Sequence, residues 1–398
     1  MDSLLEKCGP LLSLIDEAKL ADLCSRLIQF RTPNPPGNEA EAAGFLGNLL
    51  RTAGFQVEIF PHSPHRASLV ARLRSTGELP ALIFSGHLDV GSQTDEEWKY
   101  DPFGGQILDG KVWGRGASDM KGGVASIVHA ATILAAAHYP LKGDLILALT
   151  AGEENGFIGA KAIVNRYDFG PIQALFIAEP SDNDVVIAEK GLLWLEISTH
   201  GKAIHMAQMD QGRNAIMMML PLLINLLKIE FPFVEHPLLG KFVYSINSIH
   251  AGMDVNTLPD RCVVQVDLRT VPGQDHAAIV NEIQDLLNRT AGEVDLPGFQ
   301  ATSKVLLDAP PLATSPDNPV IKRFFEIVTL VTGKHPQPQA VAAGTDAVAF
   351  VPALKIPFLM CGPGNPLFVH HVDENVEIAK LVDSTKIYLL SAVEFLSE

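Results

Sequence analysis

Apolar and polar positions fall into two regimes along the chain. Helical spacing of apolar residues predicts helices over 3–30 and 38–54, followed by strands at FQVEIF (55–60) and ASLVARL (67–73). ALIFSGHLDV (81–90), LILALT (145–150) and ALFIAEP (174–180) are short apolar runs that turn polar or acidic at their ends. Such runs are the pattern of strands covered on both faces. The Ala-rich stretch 120–138 predicts a helix between them. Apolar strands alternating with helices predict an α/β domain built on a mixed, mostly parallel sheet.

The pattern changes near 190. GLLWLEISTHG, a helix over 212–229, KFVYSINSIHAG, RCVVQVDLRTV, a helix over 274–290 and FQATSKVLLD predict a strand–helix–strand–strand–helix–strand unit. That is a self-contained α+β sandwich of domain size. DAPPLATSPDNP (308–319) reads as a linker, after which α/β character resumes. The expectation is one domain of residues 1–188 and 310–398, interrupted by an inserted domain of residues 189–309. Within the inserted domain, Met217, Met218, Met219 and Leu220 are expected to be core of a dimerisation helix.

Composition narrows the class. The 398 residues are 47% hydrophobic and 19% charged, an ordinary globular balance. A net charge of −16 leaves no clustered cationic surface for phosphate, which excludes nucleic acid as the expected partner. Cys8, Cys24, Cys262 and Cys361 form no CxxC pair and read as reduced, packed thiols. The first residues, MDSLLEKCGPLLSLIDEAKL, lack the basic and apolar regions of a signal peptide. The longest apolar stretch, AIMMMLPLLINLL, is too short for a bilayer and is broken by Pro221 and Asn225. A cytoplasmic protein without a membrane segment is the expectation.

Candidate chemistry sits at the strand ends: His87 and Asp89 in GHLDV, Glu153 and Glu154 in TAGEENG, Glu179 in AEPS. Asp119 in GRGASDMKGG precedes the expected helix. In open α/β sheets, sites assemble at the carboxyl ends of strands, so scattered residues can converge there. Singly, each has a plainer reading as a cap or a solvated charge. GRGASD lacks the third glycine of GxGxxG and the GK[ST] ending, so it is no phosphate loop. Together, so many carboxylates repel one another unless cations lie between them.

GHLDV, WKYDPFGGQILDGKVWGRGASDMKGG, TAGEENG, AEPS and GPGNPLFVHHVDE stand in this order along nearly the whole chain. The chain thereby resembles the di-zinc family of aminoacylase, acetylornithine deacetylase, succinyl-diaminopimelate desuccinylase and carboxypeptidase G. The resemblance implies two zinc ions per chain, with cobalt or manganese as substitutes. Asp119 would bridge them, His87 and Glu179 would complete one site, and Glu154 and His370 the other. The family spacing of a histidine four residues before the glutamate selects His370 over His371. Asp89 would orient the imidazole of His87, and a cis peptide is implied at Asp119–Met120. Glu153 would be the general base that activates a water shared by the two ions, a role that fits a carboxylate beside the ligand Glu154.

In the inserted domain the resemblance implies that His205 reaches across a homodimer interface to the oxyanion. This segment departs from the family, which has small residues and a proline where Met206, Ala207 and Met209 stand here. Asn256 and Arg269 match positions that hold the substrate carboxylate. Backbone N–H groups of Gly344, Thr345, Gly362 and Gly364 are candidates for the same anion, although GPG is equally a tight turn. Closure of the small domain over the metals would deliver Arg269 and His205. The implied activity is hydrolysis of the amide of an N-acyl amino acid, as in acetylornithine deacetylase or desuccinylase. A carboxypeptidase or dipeptidase acting on a short peptide is the alternative within the fold, and a non-catalytic binding homologue the alternative of another class. The motifs do not name the acyl group, the amino acid or the metal.

Overall fold

The computed structural model describes residues 2–92 and 97–397. The chain divides into two compact units: residues 1–188, 313–340 and 345–398, and residues 189–312 with 341–344. In the first unit, a nine-stranded mixed sheet is built around the strand Leu79–His87. That strand pairs in parallel with Gly143–Thr150 on one side and Ile172–Pro180 on the other. Phe358–Gly362 adds a further parallel pair on Ile172–Pro180, and Gln56–Ser63 and Arg66–Leu73 extend the far edge in antiparallel fashion. The central strand Gly143–Thr150 is buried at every position, as expected where helices cover both faces.

Register positions the chemistry. His87 is paired with Thr150, and Ser85 with Ile177, so the segments carrying His87, Glu153, Glu154 and Glu179 all leave the sheet at the same end.

Local signals explain where the elements differ from the sequence expectation. Residues 3–30 form two helices, Asp2–Leu12 and Glu17–Gln29. The second begins where Asp16 accepts a hydrogen bond from the Lys19 N–H at 3.1 Å, a side-chain cap that hydrophobic periodicity does not register. The helix expected over 120–138 runs Gly122–Ala136 and is preceded by an irregular turn, Ala117–Lys121, that contains a cis Asp119–Met120 peptide. A small antiparallel sheet of Gln106–Leu108, Lys111–Trp113 and Asn375–Glu377 has strands too short to show as a pattern.

The second unit is a four-stranded antiparallel sheet in the order Val243–Ala251, Arg261–Thr270, Gly191–His200, Ala301–Ala309. The helices Ala215–Leu226 and His276–Glu293 cover it, with Leu193, Leu195, Val264, Met219 and Ile283 in the shared core. Asn214 starts the first of these helices by accepting the N–H groups of Ile216 and Met217. The methionine run is only partly core. Met218 and Met219 are buried, whereas Met217 and Leu220 are 52% and 45% exposed, because a helix turns about 100° per residue and a run of four cannot all face the sheet. All four cysteines are buried and unbridged. No helix among the described residues is long and apolar enough to cross a membrane.

Candidate metal centre

Four of the five predicted ligands gather around the fifth, Asp119. Asp119 Oδ1 lies 3.0 Å from His87 Nε2, and its Oδ2 lies 3.7 Å from His370 Nε2. Glu179 stands 3.7 Å from His87 Nε2, and Glu154 lies 2.8 Å from His370 Nε2. Each imidazole therefore faces one oxygen of Asp119 and one further glutamate. Ligand atoms of His87, Asp119 and Glu154 lie within 4.8 Å of one another. His371 carries no such contact among the described residues; only its backbone does, donating to Phe368 O and accepting from Arg115.

The electrostatics ask for positive charge. Burial pushes the Glu153 carboxyl well above the ordinary range; His87 opposes this, and Glu179, Asp346 and Glu154 add to it. Glu179 is raised in the same way by burial, against His87 and with Asp119, Asp346 and Glu154. Burial lowers the His87 imidazole, but the Glu179 charge and the bond to Asp119 outweigh it and hold it well above its usual value. A mixed set of imidazole and carboxylate donors is the chemistry that zinc and neighbouring divalent ions accept. The residues fit a pair of such cations, with Asp119 shared.

Asp89 does more than was expected of it. His87 Nδ1 is hydrogen-bonded at 2.9 Å to the backbone carbonyl of Asp89, while the carboxylate is 3.6 Å away. The carboxylate instead accepts the N–H groups of Gly152 (2.9 Å), Glu153 (3.2 Å) and Glu154 (3.2 Å), and the Asn34 amide at 2.8 Å. One buried anion thus shapes the loop that presents both glutamates. Asp89→Ala should lower metal affinity or turnover about 10–100-fold, the usual cost of losing an outer support. Metal titration and steady-state kinetics of the variant check this.

Of the four expected backbone donors, Gly362 is engaged elsewhere. The N–H of Gly362 is already donated to Ser181 Oγ at 3.0 Å, and a Cβ there would come within 2.2 Å of Ala178 O. A Cβ on Gly364 would come within 2.2 Å of Ser118 O. Close backbone packing excludes a side chain at both positions. Thr345 is buried, and its hydroxyl accepts the Ala347 N–H at 3.2 Å as a helix-start contact. Gly344, one residue earlier, falls in the second unit.

In the second unit, His205 Nε2 stands 3.5 Å from Asn256 Nδ2, and Met206 N–H donates to the Asn256 carbonyl at 2.7 Å. Arg269 is committed within its own unit: Nε and Nη2 grip Asp267 at 2.9–3.1 Å, and Nη1 donates to Ala342 O at 2.8 Å.

Three supporting residues were given no role of their own in the sequence reading. Arg115 in GRGASD and Glu374 in HHVDE form a buried ion pair at 3.0 Å. Asp346 in AAGTDAV is buried, accepts the Thr150 hydroxyl in a very short contact, and is raised to about 6 by burial against that bond. A charged residue expected outside and found inside is the signal, but only coordinates supply it.

The chain as a whole resembles known proteins. Residues 83–394 match the model of peptidase family M20/M25/M40. A probable succinyl-diaminopimelate desuccinylase of Staphylococcus aureus strain MRSA252 is 27% identical, over 97% of this chain and all of that one. Among solved structures, an M20 family metallo-carboxypeptidase from Sulfolobus solfataricus superposes with a TM-score of 0.76 at 18% identity, covering 95% of this chain and 99% of that one. A dinuclear metal-binding peptidase of the same family from Bacillus subtilis gives 0.68 at 17% identity, covering 96% and 98%.

Proposed function

The chain belongs to peptidase family M20/M25/M40, a family of metal-dependent hydrolases, and from that premise we propose that it hydrolyses the amide bond of N-acyl amino acids at two zinc ions. The observation that carries the reading is the placing of one imidazole and one further glutamate at each oxygen of the buried Asp119. His87, Glu179 and Asp119 Oδ1 would hold one ion, and His370, Glu154 and Asp119 Oδ2 the other. When bound, two such ions acidify a water and polarise the scissile carbonyl.

Glu153 moves the proton. It sits beside Glu154 and outside the assigned ligand set, where a carboxylate can take a proton from water and later release it. The water oxygen forms the new bond to the carbonyl carbon, the C–N bond breaks, and Glu153 hands its proton to the departing nitrogen. His205, with Asn256, is assigned to the carbonyl oxygen, and Arg269 to the substrate carboxylate, an assignment that requires its guanidinium to exchange Asp267 or Ala342 O for substrate.

The desuccinylase relative supports an acylated amino acid as the substrate. A release assay over N-succinyl, N-acetyl and N-formyl amino acids and unblocked dipeptides, with metal-replete enzyme, tests the reading. Cleavage of an N-acyl amino acid in preference to every dipeptide is expected. Cleavage of dipeptides alone would replace it with a peptidase.

A homodimer through the second unit belongs to the same proposal. Ile216, Met217, Leu220, Ile224 and Leu227 line the outer face of Ala215–Leu226 and the residue after it, each at least 36% exposed. Val243–Ala251 is an edge strand with Val243 and Ile249 more than half exposed. Such a stripe beside an open edge is the kind of surface a second copy covers. Ile224→Glu should halve the molar mass seen by light scattering, and an unchanged mass would contradict the dimer.

A further inference from the structure

His370 and Asp119 come from distant parts of the sequence, yet they must meet at one cation. The segment bearing His370 is tied to the segment bearing Asp119 at several points. Ser118 Oγ accepts the Asn365 N–H at 3.2 Å and donates to the Asn375 carbonyl at 2.8 Å, pinning both ends of the loop. Gly114 N–H donates to the Glu374 carbonyl at 2.8 Å, next to the pairing of Lys111–Trp113 with Asn375–Glu377.

At the centre of this seam lies the Arg115–Glu374 pair, whose side chains are 1% and 0% exposed. Glu374 Oε1 accepts the N–H groups of Ser118 (2.9 Å) and Asp119 (3.0 Å), and Oε2 accepts Arg115 Nη1. Arg115 in turn donates to the carbonyls of His370 and His371, each at 3.3 Å. Its guanidinium lies 5.1 Å over the Trp98 ring, while its Nε is buried without a hydrogen-bond partner among the described residues.

A fully buried ion pair is a poor stabiliser, because desolvation offsets most of its Coulomb attraction and an apolar pair often serves as well. An unpartnered Nε adds to that cost. The return here is geometric. His370 holds φ at +61°, a conformation costly for a side chain with a Cβ, so its neighbours must impose it. Arg115 grips the carbonyl of that same residue.

We infer that Arg115 and Glu374 are positioning residues that fix His370 against Asp119, so that filling of the His370–Glu154 site depends on a pair that touches neither cation nor substrate. This rests on the dinuclear reading above. Weakening the pair loosens the loop that carries His370, while His87 and Glu179 stay held by sheet register; Glu374→Gln keeps an oxygen for the Ser118 and Asp119 N–H groups, so the shared Asp119 stays in place.

The test is equilibrium uptake of Zn2+ by the full chain, wild type against Glu374→Gln, Arg115→Lys and the double variant, with thermal unfolding recorded in parallel. Wild type should bind two ions. Glu374→Gln keeps the shape of the side chain and should retain the first ion at unchanged affinity while weakening the second about 10–100-fold. Arg115→Lys should do the same and carries the test should Glu374→Gln not fold. The double variant should be no worse than the poorer single one, as coupled partners require. Unchanged binding of both ions, or equal weakening of both with a lowered melting temperature, would overturn the positioning role. Wild type binding fewer than two ions would overturn the dinuclear reading and the inference with it.

Discussion

Glu153→Gln is expected to take up metal like the wild type and to lose about 10²–10⁴-fold in kcat, the contribution of general acid–base catalysis. That loss corresponds to about 3–5.5 kcal/mol of transition-state stabilisation. Glutamine keeps the volume and the backbone bond to Asp89, so the loop should hold its shape. What disappears is the group that accepts the water's proton. KM should change little, because Glu153 is not assigned to substrate binding. A variant that retains full kcat would remove Glu153 from the mechanism; one that loses its metal would make it a ligand instead.

Asp119→Asn should act on binding before it acts on rate. The carboxylate faces His87 with one oxygen and His370 with the other, and its backbone N–H is held by Glu374. An amide keeps that shape but offers one oxygen and no charge to two cations. Affinity should fall by more than the ~10–100-fold typical of outer supports, for both ions together, and turnover with it. Metal analysis after gel filtration and kinetics in metal-supplemented buffer separate the two effects. Loss of only one ion would assign Asp119 to a single site and leave the sharing unsupported.

Sequence legibility differed sharply between chemistry and its supports. His87, Glu154 and Glu179 were readable because each ends an apolar strand, and a parallel sheet gathers such ends at one edge. Choosing His370 over His371 needed the family spacing, since nothing in HHVDE itself distinguishes them. The hold of Asp89 on three loop amides was not legible, because its backbone carbonyl, which sequence does not display, takes the His87 imidazole and leaves the carboxylate for those amides. Arg115 and Glu374 were invisible for a related reason. A charged residue in a motif rich in charges reads as solvated until its burial is known. Gly362 and Gly364 looked like donors, yet tertiary crowding at Ala178 and Ser118 is what excludes a side chain there. In the fold, the long apolar period across residues 3–30 concealed a break that a single capping aspartate imposes.

Metal content of the purified wild-type chain, measured by elemental analysis alongside hydrolysis of an N-acyl amino acid before and after chelation, addresses the whole reading at once. Two divalent ions per chain are expected, with activity abolished by chelation and restored as both ions return. A chain that binds no metal, or that hydrolyses its substrate equally well once stripped, would contradict it.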